Sequence, residues 1–219
     1  MSRRFDSHLF WGSYSPLSAL TGSALIIMAS SRFAFAIVCA AALIWVYGFT
    51  ALVSSVTRRI MPSRGKMTVL LFLSTFLCAI FILLTGMLNP LIILGTSFFL
   101  LLIPPCCLGA GYFEELESVD HGEAVSRALL EAITLGAIIL AFALIREPLS
   151  MGTLTFPGGP AGITELFNVK DSDAFVLLPA FSVSAGGLLL LGYATAIYRY
   201  FGENNGGISN NDDIAGGKN

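Results

Sequence analysis

Charge is what this chain has least of. Asp, Glu, Lys and Arg make up only 12% of its 219 residues, about half the share found in an ordinary soluble domain. Between Lys66 and Glu114 there are 47 residues with no charge at all. One helical crossing of a bilayer takes roughly 20 apolar residues, so that stretch must cross more than once. The formal net charge of −2 gives no reason to expect a nucleic-acid partner. Histidine is scarce too, and His8 and His121 stand far apart with no metal-ligand spacing. The four cysteines, Cys39, Cys78, Cys106 and Cys107, all lie inside apolar stretches, which argues against an extracellular disulfide framework. The basic start Met1-Ser2-Arg3-Arg4 is not followed by a short apolar region and a small-residue cleavage site, so the first apolar segment reads as retained. No Walker, Rossmann or triad pattern is present, and the chain by itself reads as non-catalytic.

What is there is hydrophobic sequence. Of all residues 55% are hydrophobic, and the mean hydropathy is +0.80. Charge-free windows divide the chain into six membrane segments: Pro16 to Ala29, Phe33 to Thr57, Met67 to Leu88, Leu91 to Gly109, Arg127 to Ile145 and Ala174 to Tyr198. With the N-terminus cytoplasmic, nine Lys and Arg fall on that side and three (Arg32, Arg146, Lys170) on the other. Basic residues concentrate in cytoplasmic loops, so both termini are expected inside. The cluster from Arg58 to Lys66 is the strongest single indication. Residues 1–202 form the membrane domain, and the Asn-, Gly- and Asp-rich tail 203–219 is expected to be disordered.

Two of the segments are interrupted. Tyr14-Ser15-Pro16 opens the first, and Pro104-Pro105-Cys106-Cys107 falls inside the fourth. Proline lacks a backbone N–H and restricts its neighbour, so Pro-Pro-Cys-Cys is expected to depart from regular helix. Irregular backbone at bilayer depth is tolerated only where protein buries it or it lines a cavity. The interruptions recur at the head of each half, so residues 9–88 and 90–200 read as two three-helix repeats. An odd number of spans per repeat inverts the second copy. The fold class is then an all-α membrane protein of six segments in two inverted repeats, with the first and fourth helices broken. Paired broken helices in inverted repeats point to a site near the midplane.

Individual residues fit this plan in different ways. Cys39 and Cys78 read as packing residues. Glu131, one turn inside the fifth segment, is an ionisable group in the membrane and hence a functional candidate. Arg146-Glu147, at the outer end of that helix, is expected to be a structural pair anchoring the loop Pro148 to Val169. Gly186-Gly187 offers a small-residue surface for contact with another helix.

These residues also resemble a known family. Cys106-Cys107-Leu108-Gly109-Ala110-Gly111-Tyr112-Phe113-Glu114 is similar to a signature of the Rnf/Nqr membrane subunits, with Cys107 on the family's cysteine and Glu114 on its glutamate. Ile145-Arg146-Glu147, followed by Gly152-Thr153-Leu154, is the most specific match. Asp173 to Phe181 resembles the start of the family's last helix, and Tyr14 to Thr21 its first broken helix. The likeness covers about residues 9–200 and favours the RnfE/NqrD branch.

The resemblance implies a subunit of an ion-translocating electron-transport complex in the cytoplasmic (inner) membrane, of the Rnf ferredoxin:NAD⁺ or Nqr NADH:quinone kind. It implies pairing with a related RnfA/NqrE-like subunit and a [2Fe–2S] cluster shared between the two, with Cys107 as one ligand. Ser15 stands where the family has its other cysteine. Two readings follow: a paralogue whose cluster is lost or altered, or a cluster that uses Cys106 and Cys107 together. The alternative from the residues alone is a stand-alone small-solute or ion transporter, since broken helices in inverted repeats are also the transporter plan.

Overall fold

The computed structural model describes residues 24–57, 65–109, 121–158, 162–168 and 179–206. Four helical stretches among them are long and apolar enough to cross a membrane: Phe33–Thr57, Lys66–Leu88, Pro90–Cys107 and Val125–Met151. In chain order the elements are α1 (Phe33–Thr57), α2 (Lys66–Leu88), α3 (Pro90–Leu100), α4 (Ile103–Gly109), α5 (His121–Met151), β1 (Thr153–Pro157), β2 (Ile163–Asn168), a 3-10 turn (Pro179–Phe181) and α6 (Ser184–Gly206). A further helical stretch, 24–29, precedes α1 across a break at residues 30–32.

The centre of the bundle is the α1–α5 pair, and small residues make it. A Cβ added to Gly136 would meet Ala40 Cβ at 3.1 Å, and one added to Gly48 would meet Leu129 at 3.2 Å. At the far end Phe33 N–H donates to Glu147. The pairs 33 with 147, 40 with 136 and 48 with 129 run in opposite senses, so the two helices are antiparallel. Ala128, Ala132, Ile139 and Ala143 are fully buried along α5, and Glu147 lies one turn beyond Ala143 at the same i, i+4 spacing. Without a hydrophobic drive between helices in lipid, association rests on such close backbone approach. By contrast α2 and α3 present Phe72, Phe76, Leu83, Met87, Leu94 and Phe98 outward, as lipid-facing surfaces do.

The Pro-Pro pair does not break the fourth segment where the sequence reading put the break. The discontinuity comes earlier, at Leu101–Leu102, and Ile103 starts a new helix that contains both prolines. The first bond of that helix is Cys106 N–H to Leu102 O, at 3.0 Å. The three positions before it need no intrahelical donor, and they are Ile103, Pro104 and Pro105. Proline is well suited there, because its missing N–H would have been unpaired anyway.

The region expected to be a loop holds the one departure from all-α architecture among the described residues. β1 and β2 form an antiparallel hairpin, with Thr153 opposite Asn168, Pro157 opposite Ile163, and an irregularity at Leu154/Thr155. The hairpin lies over one end of the bundle. Phe156 packs on Phe33 with ring centroids 5.2 Å apart, and Asn89 Nδ2 donates to Gly162 O at 3.2 Å. Asn89 is the single residue between α2 and α3, and its Oδ1 also caps Ile92 N–H. Gly162 is required on two counts: its φ is +80°, and a Cβ would lie 2.9 Å from Leu91 Cβ. The start of α1, the α2–α3 turn and the end of α5 therefore share one end of the bundle, as alternating spans demand.

Candidate functional site

Two polar centres lie inside the bundle. The first surrounds the discontinuity at Leu101–Leu102. Pro104 has no N–H to offer the carbonyl of Leu100 four residues earlier, and the Cys78 thiol donates to that carbonyl instead, at 3.2 Å. Cys78 is thus more than a packing residue: it answers an acceptor that a proline leaves open. Cys107, fully buried, shares a hydrogen bond with Tyr47 of α1. Cys39 lies within electrostatic reach of Cys106 and Cys78, and Tyr47 within reach of Glu131. All four thiols therefore gather at the junction of α1, α2 and α4, all four buried. The sequence reading had singled out only two of them.

Replacing Cys78 with alanine should leave Leu100 O without a donor, at a cost of about 1–3 kcal/mol for a buried unpaired polar group. Serine should retain most of the wild-type stability. Chemical or thermal unfolding of the two variants in detergent checks this, and equal loss in both would show that the thiol only fills space.

The second centre is Arg146-Glu147. Both side chains are buried, at 2% and 0% exposure, inside the last two turns of α5. They do not anchor the loop as a mutual pair. Consecutive helical residues point about 100° apart, and here they take different partners. Arg146 Nε donates to Phe181 O at 2.8 Å. One terminal nitrogen donates to Ile27 O and, at 3.0 Å, to Ser30 Oγ. The other donates to Ser182 O and Val183 O, at 3.2 and 3.3 Å. Five donors are the full complement of a guanidinium, so none remains for Glu147.

Arg146 thus sits where residues 24–29 end, and a cation at a helix C-terminus is favoured by the macrodipole. It also clamps the turn that leads into α6. Gly187 makes room for it: a Cβ there would lie 3.1 Å from the guanidinium carbon and 3.1 Å from Ile27. Gly186 is packed against the backbone of Ala180 and Phe181. The Gly186-Gly187 surface is therefore buried within this chain, in the first turn of α6, and does not face a neighbour.

Glu147 serves the other side of the break. Its Oε2 accepts from Phe33 N–H at 2.6 Å, and Thr155 Oγ1 accepts from Ala34 N–H at 3.4 Å. These are the first two N–H groups of α1, which Arg32 cannot cap with its own side chain. A carboxylate and a hydroxyl from distant parts of the chain supply the cap, with the charge that a helix N-terminus favours. The sequence signal for this centre was a pair of charges beside Pro148 within an apolar helix. Its partners, more than a hundred residues away, were not readable.

Of the other residues singled out in the sequence, Glu131 is half-buried on α5, and Ser15, His8 and Glu114 lie outside the described residues. So does the expected approach of Ser15 to Cys107. Among the described residues no three His, Cys, Asp or Glu stand together so as to hold a metal ion. No family model and no curated protein matches the chain, so its function has to be argued from the residues themselves.

Proposed function

We propose that the chain is a membrane subunit of an ion-translocating electron-transport complex of the Rnf or Nqr kind, built as two inverted three-helix repeats. One observation carries the reading. The stretch in which the family resemblance is most specific, Arg146-Glu147 with Gly152-Thr153-Leu154, is also the stretch that ties the bundle together. Its arginine holds the end of 24–29 and the entry to α6, its glutamate caps α1, and its threonines begin the hairpin. A motif whose residues are bound to so many separate parts of the chain is under structural constraint, and a match there weighs more than one on a lipid face.

The antiparallel α1–α5 pair supports the repeats. These are the second helices of the two halves, and an axis in the membrane plane that relates the halves would make them antiparallel. On this reading both termini are cytoplasmic, the membrane is the cytoplasmic one, and a related six-span subunit is the partner. The implied [2Fe–2S] cluster fits less well. Cys107 is fully buried and bonded to Tyr47, Cys78 is bonded to Leu100 O, and the thiols as placed are not a ligand set. The proposal therefore routes no electron through a cluster, and the paralogue with a lost or altered site is the form it takes.

Affinity purification of the full chain from its native membrane tests the proposal. A second multi-pass subunit and flavin- or ferredoxin-type subunits should be recovered in stoichiometric amounts. Iron and sulfide analysis with EPR of the same material distinguishes a retained cluster from a lost one. Recovery of the chain alone, monodisperse and active in moving a solute, would sink the proposal in favour of a stand-alone transporter.

A further inference from the structure

Three buried side-chain polar atoms have no hydrogen-bond partner among the described residues: Trp45 Nε1, Thr50 Oγ1 and Glu147 Oε1. Only the last belongs to a group that can carry charge. A fully buried carboxylate oxygen without a donor is costly, and its obvious neighbour cannot relieve it. Arg146 already uses all five N–H groups on Ile27, Ser30, Phe181, Ser182 and Val183. Nor can the helix end, because Phe33 N–H is taken by Oε2 and Ala34 N–H by Thr155.

We infer that Glu147 Oε1 and Thr155 Oγ1 form two ligands of a small monovalent-cation site at the N-terminal end of α1. The two side chains accept from consecutive N–H groups, so their oxygens sit on one turn of the same helix end. Thr155 is 1% exposed, and its oxygen takes only one long bond, which leaves lone-pair capacity for an ion. Ser150, one turn along α5 and itself buried, donates its hydroxyl to Glu147 O and keeps the carboxylate-bearing turn in place. The donors are hard oxygens, which suit alkali and alkaline-earth ions over soft metals. The charge selects between those two. Glu147 supplies one negative charge, part of it already directed at the helix end, and a divalent ion would leave an excess positive charge beside Arg146. The site is independent of the electron-transport reading, since a transporter or a structural subunit could hold the same ion.

The test is thermal unfolding of the full-length protein in lipid nanodiscs, with NaCl titrated against choline chloride at constant ionic strength and pH. A ligand that binds only the folded state raises the melting temperature with its concentration. Wild type should gain several degrees in sodium, saturably, and none in choline. E147Q keeps an acceptor for Phe33 N–H and should lose the sodium response. T155V should need more sodium for the same gain, and it reads the site even if E147Q fails to fold. An equal gain in choline, an undiminished sodium response in E147Q, or an unchanged midpoint in T155V would each overturn the site. So would stabilisation that follows acidification and ignores sodium, because the ligand would then be a proton.

Discussion

Replacing Arg146 with leucine is expected to cost more stability than any other single side-chain truncation in the described bundle. The substitution removes five hydrogen bonds at once and strands the carbonyls of Ile27, Phe181, Ser182 and Val183 where water does not reach. Breaking a buried charged network by deleting one partner costs roughly 3–5 kcal/mol. For a chain of this size that corresponds to a fall in melting temperature on the order of 10 °C. Lysine keeps the charge but has three donors on a single nitrogen. It cannot reach both the end of 24–29 and the turn before α6, so R146K should fall between the two. The measurement is unfolding in detergent or nanodiscs, followed by fluorescence of Trp45 and Trp11. If R146L melts within about 2 °C of wild type, a shift worth under 1 kcal/mol at this size, the clamp is not what holds these segments together.

The long-range origin of that clamp explains why the sequence led to a different reading of it. An Arg-Glu dipeptide looks like an ion pair in one dimension. On a helix its members diverge, and each finds whatever helix end lies on its own side: a C-terminus for the arginine, an N-terminus for the glutamate. That divergence follows from helical geometry, but the identity of the ends does not. The four long spans were legible, because absence of charge over 20 or more residues has few other physical meanings. The break in the fourth segment was legible as a break but misplaced by a few residues, since proline is excluded from helix interiors and welcome in the first turn. The hairpin had its own signal. Thr153-Leu154-Thr155-Phe156 and Ile163-Thr164-Glu165-Leu166 flank a Pro-Gly-Gly-Pro sequence, a turn between two short β-prone runs. Reading 148–169 only as a connection between spans passed over it. The convergence of Cys39 and Cys78 on Cys106 and Cys107 had no sequence signal, because it depends on how α1 and α2 are rotated.

The glycines at the head of α6 carry the second large effect. A Cβ built on Gly186 would collide with the carbonyl of Ala180 and come within 2.7 Å of Phe181 Cα. Both obstacles are backbone, so no rotamer change can make room. The 3-10 turn would have to move, and it is held by the same Arg146 that binds Phe181 O and its two successors. Gly186→Ala should therefore disrupt the α5–α6 junction and, through it, the clamp, with a loss comparable to R146L. Gly187→Ala meets the guanidinium and the Ile27 side chain at 3.1 Å, groups that can yield by a few tenths of an ångström, so its loss should be smaller. Gly192→Ala meets nothing within 4 Å and exchanges glycine for a better helix former. It should be neutral or stabilising by up to about 1 kcal/mol. The expected order of stability is thus G192A, then G187A, then G186A, measured by unfolding in one detergent. If the clamp and the glycine turn are one unit, adding G186A to R146L should cost far less than G186A alone, since neighbouring sites that share partners are not additive. Full additivity in that double variant, or a G186A protein as stable as G192A, would show that α6 does not dock against α5 in the way described.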